Sequence, residues 1–121
     1  MNLAKRDARE GTKIQYMSPE LLFLAKSGQP YRGSLYINFI SRGETFDLLD
    51  LKKYITALRG KILNSEDIAY EIYETINSSV STDDLGVIVE LTARGGIQQT
   101  LSYGKEFELV KKKNIFQVAG R

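Results

Sequence analysis

Apolar and polar positions alternate through residues 34–41, with Leu35, Ile37 and Phe39 facing one way and Tyr36, Asn38 and Ile40 the other. A period of two predicts a strand. Residues 13–17 read as a shorter strand before it. Between the two, a greasy run ends at Leu24, Lys26 follows, and Ser27, Gly28, Gln29 and Pro30 have turn composition with Tyr31 just beyond. Residues 41–44 break the strand. The period then becomes helical: Leu48, Leu51, Ile55 and Leu58 are spaced 3, 4 and 3 apart, behind Asp47 as N-cap and ahead of Gly60 as a stop. A second helix follows, capped by Asn64 or Ser65, with Glu66 and Asp67 in its first turn, an Ile68, Ile72, Ile76 stripe, and an end at residues 77–79.

Alternation returns at residues 85–92, with Leu85, Val87, Val89 and Leu91 on one face. Arg94, Gly95 and Gly96 form a turn, residues 97–103 another strand, and residues 107–110 a possible extension after Gly104. Residues 1–12 lack apolar periodicity and read as an N-terminal arm or short helical start. Residues 13–110 read as a single domain, and residues 111–121 as a basic C-terminal tail whose Ile115, Phe116 and Val118 are able to dock. Two strands, two helices and two strands predict an α+β domain, an antiparallel sheet with both helices on one face.

Composition narrows the chemistry. The 121 residues suit one domain, and no apolar run is long enough to span a membrane. The charged start lacks a secretory signal, so a cytoplasmic protein is expected. Cysteine and histidine are both absent. Disulfides, thiolate or Ser-His-Asp nucleophiles and Cys/His zinc sites are therefore excluded. Proton transfer falls to Asp, Glu, Lys, Tyr or water. A net charge of +2 is too small to imply nucleic acid. The basic clusters near both ends read first as solvated tails and second as polyanion contacts. Asp47 and Asp50 lie one helical turn apart, but two carboxylates without a third ligand are weak support for a metal, and none is expected.

The residues around Gly28, Gln29 and Pro30, the segment from Leu49 to Tyr54, the helix opened by Glu66, and Arg94, Gly95, Gly96 and Ile97 have a familiar order. Together they resemble the NADPH-dependent 7-cyano-7-deazaguanine reductase (QueF-like) family of nitrile reductases, in its single-module form, over roughly residues 13–100. That family carries a Cys-Pro-x-Thr-Gly-Gln-Pro-Asp-Phe-Gly turn, a Glu-Leu-Lys-Ser-Leu-Lys-x-Tyr helix, a Phe-His-Glu segment and a Pro-Arg-Gly-Gly-Ile turn. The resemblance implies the tunnelling fold, ββααββ subunits that assemble into a β-barrel oligomer, here a pentamer or two stacked pentamers. It also implies a purine or 7-deazaguanine ligand at subunit interfaces, held by a glutamate.

Residue by residue, Ser27, Gly28, Gln29 and Pro30 match the turn, Gly33 the small residue after it, and Lys52 and Tyr54 part of the NADPH motif. Glu66 matches the glutamate that reads the deazaguanine edge. Arg94, Gly95 and Gly96 match the later turn. Leu24 falls where the family has its nucleophilic cysteine, Ala25 on its proline, Tyr31 on its general-acid aspartate, and Ser65 on its histidine. Leu49, Asp50 and Asp47 replace the first lysine, the serine and the leading glutamate of the cofactor motif. A thioimide cannot form on leucine. No cofactor is expected, although the family would imply NADPH.

The expected reading is a relative in 7-deazaguanine metabolism that binds 7-cyano-7-deazaguanine or a related purine without the reductase chemistry. Two alternatives stand beside it: a cysteine-independent enzyme hydrating or aminating the nitrile, and a structural oligomer. Glu66, Gln29, Ser27 and Leu24 are the candidate ligand contacts. Lys26 and Tyr31 are the candidate catalytic pair, and Lys52 and Arg94 the candidate cofactor-phosphate contacts. Each has a plainer role available: a helix-start acid for Glu66, a solvated face for Lys52, surface positions for Lys26 and Tyr31, and a hairpin turn for Arg94.

Overall fold

The structure is a computed structural model and describes residues 3–109. Its elements run β1 (Lys5–Asp7), β2 (Lys13–Leu24), β3 (Pro30–Ser41), β4 (Glu44–Phe46), α1 (Leu48–Ala57), 3-10 turns at Leu58–Gly60 and Ser65–Asp67, α2 (Ile68–Ser79), β5 (Thr82–Leu91) and β6 (Thr100–Gly104). An antiparallel four-stranded sheet has the order β2-β3-β5-β6, and β1 pairs with β4 in a small second sheet. This is the expected α+β arrangement.

Burial follows the alternation. Leu35, Ile37 and Phe39 of β3 and Val87 and Val89 of β5 are buried against the helices. Register carries the same face across the sheet, since Leu35 opposes Val89 and Ile37 opposes Val87. From α2 the core receives Ile68, Ile72 and Ile76, all fully buried. Burying one such side chain contributes about 1.5–3 kcal/mol.

Several expectations change. The first strand does not stop at Met17; it runs on to Leu24, taking the greasy run into the sheet with Leu21 and Phe23 buried. Residues 5–7, expected as arm or helical start, form β1, and Leu3 is buried with its N–H donating to Ser79 Oγ at 3.0 Å. A strand of three exposed charged residues, held by backbone pairing and a Lys5–Glu44 ion pair at 3.6 Å, has no hydrophobic period to read. On α1 the buried stripe is Leu51, Tyr54, Ile55 and Leu58, while Leu48 is 51% exposed. Asp47 has N-cap backbone geometry but makes no side-chain capping bond. Glu66 and Asp67 lie in a 3-10 turn before α2 rather than in its first turn.

The last strand is Thr100–Gly104, because Arg94 and Ile97 close a tight turn that leaves Ile97 71% exposed. Phe107, Glu108 and Leu109 belong to no strand; Phe107 packs where a Cβ on Gly86 would stand, 2.9 Å from it. The expected continuation to Val110, and the tail with Ile115, Phe116 and Val118, lie outside the described residues. Among the described residues no helix is long and apolar enough to cross a membrane.

The two apolar positions Ile72 and Leu48 separate core from pattern. Ile72→Ala should cost about 2–5 kcal/mol through its cavity. Leu48→Ala should stay within about 0.5 kcal/mol. Urea midpoints of the two variants measure the contrast, and equal losses would mean that the α1 stripe has been placed wrongly.

Candidate functional site

The β2–β3 hairpin closes through a short turn. Gly28 N–H donates to the Ala25 carbonyl at 2.9 Å, and Ala25 N–H to the Gln29 carbonyl at 2.8 Å. Gly28 sits at φ 88°, which glycine adopts without strain. Pro30 opens β3, a strand-start position where a missing N–H costs little. The register then sets Tyr31 opposite Phe23, and the two rings stack 5.0 Å apart at 26°. Phe23 is fully buried, so Tyr31 is held from beneath by the core.

From across the sheet end comes Arg94. Its turn is closed twice, Arg94 N–H to the Ile97 carbonyl at 2.9 Å and Ile97 N–H to the Arg94 carbonyl at 3.1 Å. Gly95 and Gly96 take φ 59° and 81°, the pair of positive values that such a two-residue turn demands. The Arg94 guanidinium lies 4.9 Å from the Tyr31 ring centroid and donates through Nη2 to Gln29 Oε1. Phe23, Tyr31 and Arg94 thus form a column from core to surface. Beside it is a hollow of about 320 Å³ bordered by Ser27, Gln29, Tyr31, Thr92, Arg94 and Gln99. This is within the usual range for small-molecule sites. Its rim carries amide, hydroxyl and guanidinium donors beside the Arg94-capped Tyr31 ring, a lining suited to a polar-edged ligand.

Of the candidate residues, the structure therefore brings Ser27, Gln29, Tyr31 and Arg94 together. Lys26 does not line the hollow although both its neighbours do. Leu24 is half-buried and clamped by its backbone: its N–H donates to the Lys61 carbonyl and its carbonyl accepts from Leu63 N–H, both at 2.9 Å. Glu66 is exposed on the 3-10 turn that follows this clamp and does not border the hollow of its own chain. Lys52 lines a different hollow of about 200 Å³, beside Met17 and Leu51 between β2 and α1. It is not near Arg94 in that arrangement. Thr92 and Gln99 were not legible as site residues; only their closeness to the Arg94 turn pointed that way.

The helix matched to the cofactor motif is committed to structure. Tyr54 is 5% exposed and donates its O–H to Thr75 Oγ1 on α2 at 3.2 Å. Asp50 accepts from Ala4 N–H at 2.9 Å. Leu49 presents an apolar side chain, 56% exposed. Among the described residues no group of three potential metal ligands occurs.

No protein-family model matches the chain. Curated relatives do. The protein named NADPH-dependent 7-cyano-7-deazaguanine reductase from a Nitratiruptor species is 26% identical over 103 residues, 84% of this chain and 78% of that protein. The protein of the same name from Wolinella succinogenes is 28% identical over 102 residues, covering 84% and 77%. That from Pelodictyon phaeoclathratiforme is 31% identical over 77 residues, covering 64% and 66%. Among solved structures, the archaeosine synthase QueF-Like in its apo form superposes with a TM-score of 0.68 at 14% identity, over 84% of this chain and 99% of that one. The fold is shared, and the resemblance read from the motifs rests on homology.

Burial pushes the Tyr54 phenol up to about 12; the Thr75 hydrogen bond opposes this and the Glu71 charge adds to it. The neutral phenol is the folded form, so its contribution is complete below about pH 10 and is lost as pH rises towards 12. Stability of the parent should fall more steeply across that window than stability of Tyr54→Phe. Chemical denaturation at a series of pH values measures the difference, and parallel curves would show that Tyr54 is not held neutral.

Proposed function

We propose that this homologue of the NADPH-dependent 7-cyano-7-deazaguanine reductases binds 7-cyano-7-deazaguanine or a related purine, and that it does so without forming a thioimide. The observation that carries the reading is Tyr31 with Gln29 and Arg94 around one hollow, in a homologous chain that contains no cysteine. A base entering the hollow would meet the Ser27 hydroxyl, the Gln29 amide and the Arg94 guanidinium as hydrogen-bonding groups at its edges. Leu24 occupies the position of the family nucleophile and has no atom able to attack a nitrile carbon.

NADPH does not fit the residues present at the matched motif. Tyr54 is inside the core, Asp50 is bonded to the N-terminal backbone, and Lys52 is the one cation left of the set.

Glu66 is assigned the purine edge. A carboxylate accepting from a ring N–H and an exocyclic amine forms charge-assisted bonds. Because Glu66 lies outside its own chain's hollow, that contact is made across a subunit boundary. Among the described residues β2 and β6 are the outer strands of the sheet, β2 bridged only at Leu24 to Ile62, and unpaired edges are a liability that ring closure removes. A pentamer or decamer is the assembly proposed. Lys26 does not share the hollow with Tyr31, which weakens the proton-handling pair of the cysteine-independent alternative.

Isothermal titration with 7-cyano-7-deazaguanine, run beside guanine with recovered ligand checked by mass, tests the reading. Binding with unchanged ligand is expected. Glu66→Gln should weaken binding about tenfold to a hundredfold, the loss of one charged hydrogen bond. A gain of water or ammonia would instead make the chain a cysteine-free enzyme. Absence of binding would leave the structural oligomer.

A further inference from the structure

The hollow beside Tyr31 carries charge of one sign. Arg94 is the single charged residue of its lining, and no aspartate or glutamate is among the residues that border it. The other polar groups there are the hydroxyls of Ser27 and Thr92 and the amides of Gln29 and Gln99. Among the described residues Arg94 is in no ion pair. The Tyr31 ring and the Gln29 amide orient its guanidinium without neutralising it.

That contact also fixes what the neighbouring amide can offer. A guanidinium only donates, so Gln29 must turn its oxygen to Arg94. The amide N–H groups of Gln29 are then the part left for a ligand. Arg94 spends one donor on Gln29 and keeps the rest of its fork. Two adjacent side chains thus present donors alone, one of them cationic, while the hydroxyls can turn either way.

A ligand group suits this wall to the extent that it only accepts. A nitrile is uncharged and accepts at one nitrogen. A carboxamide accepts at one oxygen but brings N–H groups of its own against the donors. A carboxylate accepts at both oxygens, carries the opposite charge and matches the guanidinium fork. Glu66, assigned to the N–H edge of the base, would meet the donors of such a ligand, and Arg94 its acceptors.

We propose that the ligand of this hollow carries a carboxylate held by Arg94 with Gln29 beside it, so that the bound heterocycle is a ring carboxylic acid rather than a nitrile or an amide. Placing that carboxylate on a 7-deazaguanine ring rests on the purine reading above; the carboxylate itself does not. Isothermal titration of the parent, Arg94→Gln and Arg94→Lys with 7-carboxy-, 7-carbamoyl- and 7-cyano-7-deazaguanine tests the first. Indole-3-carboxylate and indole-3-carboxamide, which lack the purine edge, test the second. Arg94 is exposed, and an unchanged thermal midpoint checks that each variant is folded.

In both series the acid should bind the parent about tenfold tighter than its uncharged counterparts, roughly one charge-assisted hydrogen bond. Arg94→Gln should abolish that preference. Arg94→Lys, which keeps the charge and loses the fork, should retain part of it. If indole-3-carboxylate binds with this dependence on Arg94 while no deazaguanine binds, the carboxylate site stands and the purine reading falls. If the nitrile or the amide binds the parent as tightly as the acid, if the preference survives Arg94→Gln, or if neither acid binds, the carboxylate site is overturned.

Discussion

Strands β2 and β3 are twelve residues each and pair from one end to the other, and a strand's side chains alternate with a period of two. That register decides which face of the hairpin enters the core. With Phe23 opposite Tyr31 and Leu21 opposite Gly33, the large apolar groups turn towards the helices. A slip of one residue would send them to the other face and put Leu22 and Arg32 in their place. The place of the Tyr31 ring and the reach of Arg94 both depend on this one pairing. Its single bulge does not upset the register, because one extra residue on β2 restores the correct face beyond Leu21.

The same pairing fixes the end of the hairpin. The end of β2 is clamped at Leu24 by backbone bonds to Lys61 and Leu63, so the position is rigid without a reactive atom. Beyond it stands the Phe23–Tyr31–Arg94 column, an aromatic ring backed by the core and faced by a held cation. On α1, Tyr54 joins α2 through Thr75 and is buried with the core, so the two helices share a polar tie.

What was legible in the chain follows from local period. Alternation in residues 34–41 and 85–92 and the Ile68, Ile72, Ile76 stripe predicted β3, β5 and α2, because burial of one face imposes a pattern that needs no partner to be seen. The paired glycines after Arg94 likewise announced a tight turn, since two positive φ values leave little other choice of residue. The motif order identified the homology. By contrast, β1 is three charged residues, and its pairing with β4 is made by backbone groups that every residue possesses.

Only the tertiary structure decided which of the candidate residues meet. Gln29 and Arg94 are 65 residues apart in the chain and touch because β3 and β5 pair. Lys52 and Arg94 read equally well as phosphate contacts, yet α1 carries Lys52 to a hollow of its own. Sequence by itself determined β3, β5 and α2 and their buried faces, because those are set by the period of neighbouring side chains. The site was decided by sheet register and helix placement, which bring distant residues together and leave no period in the chain.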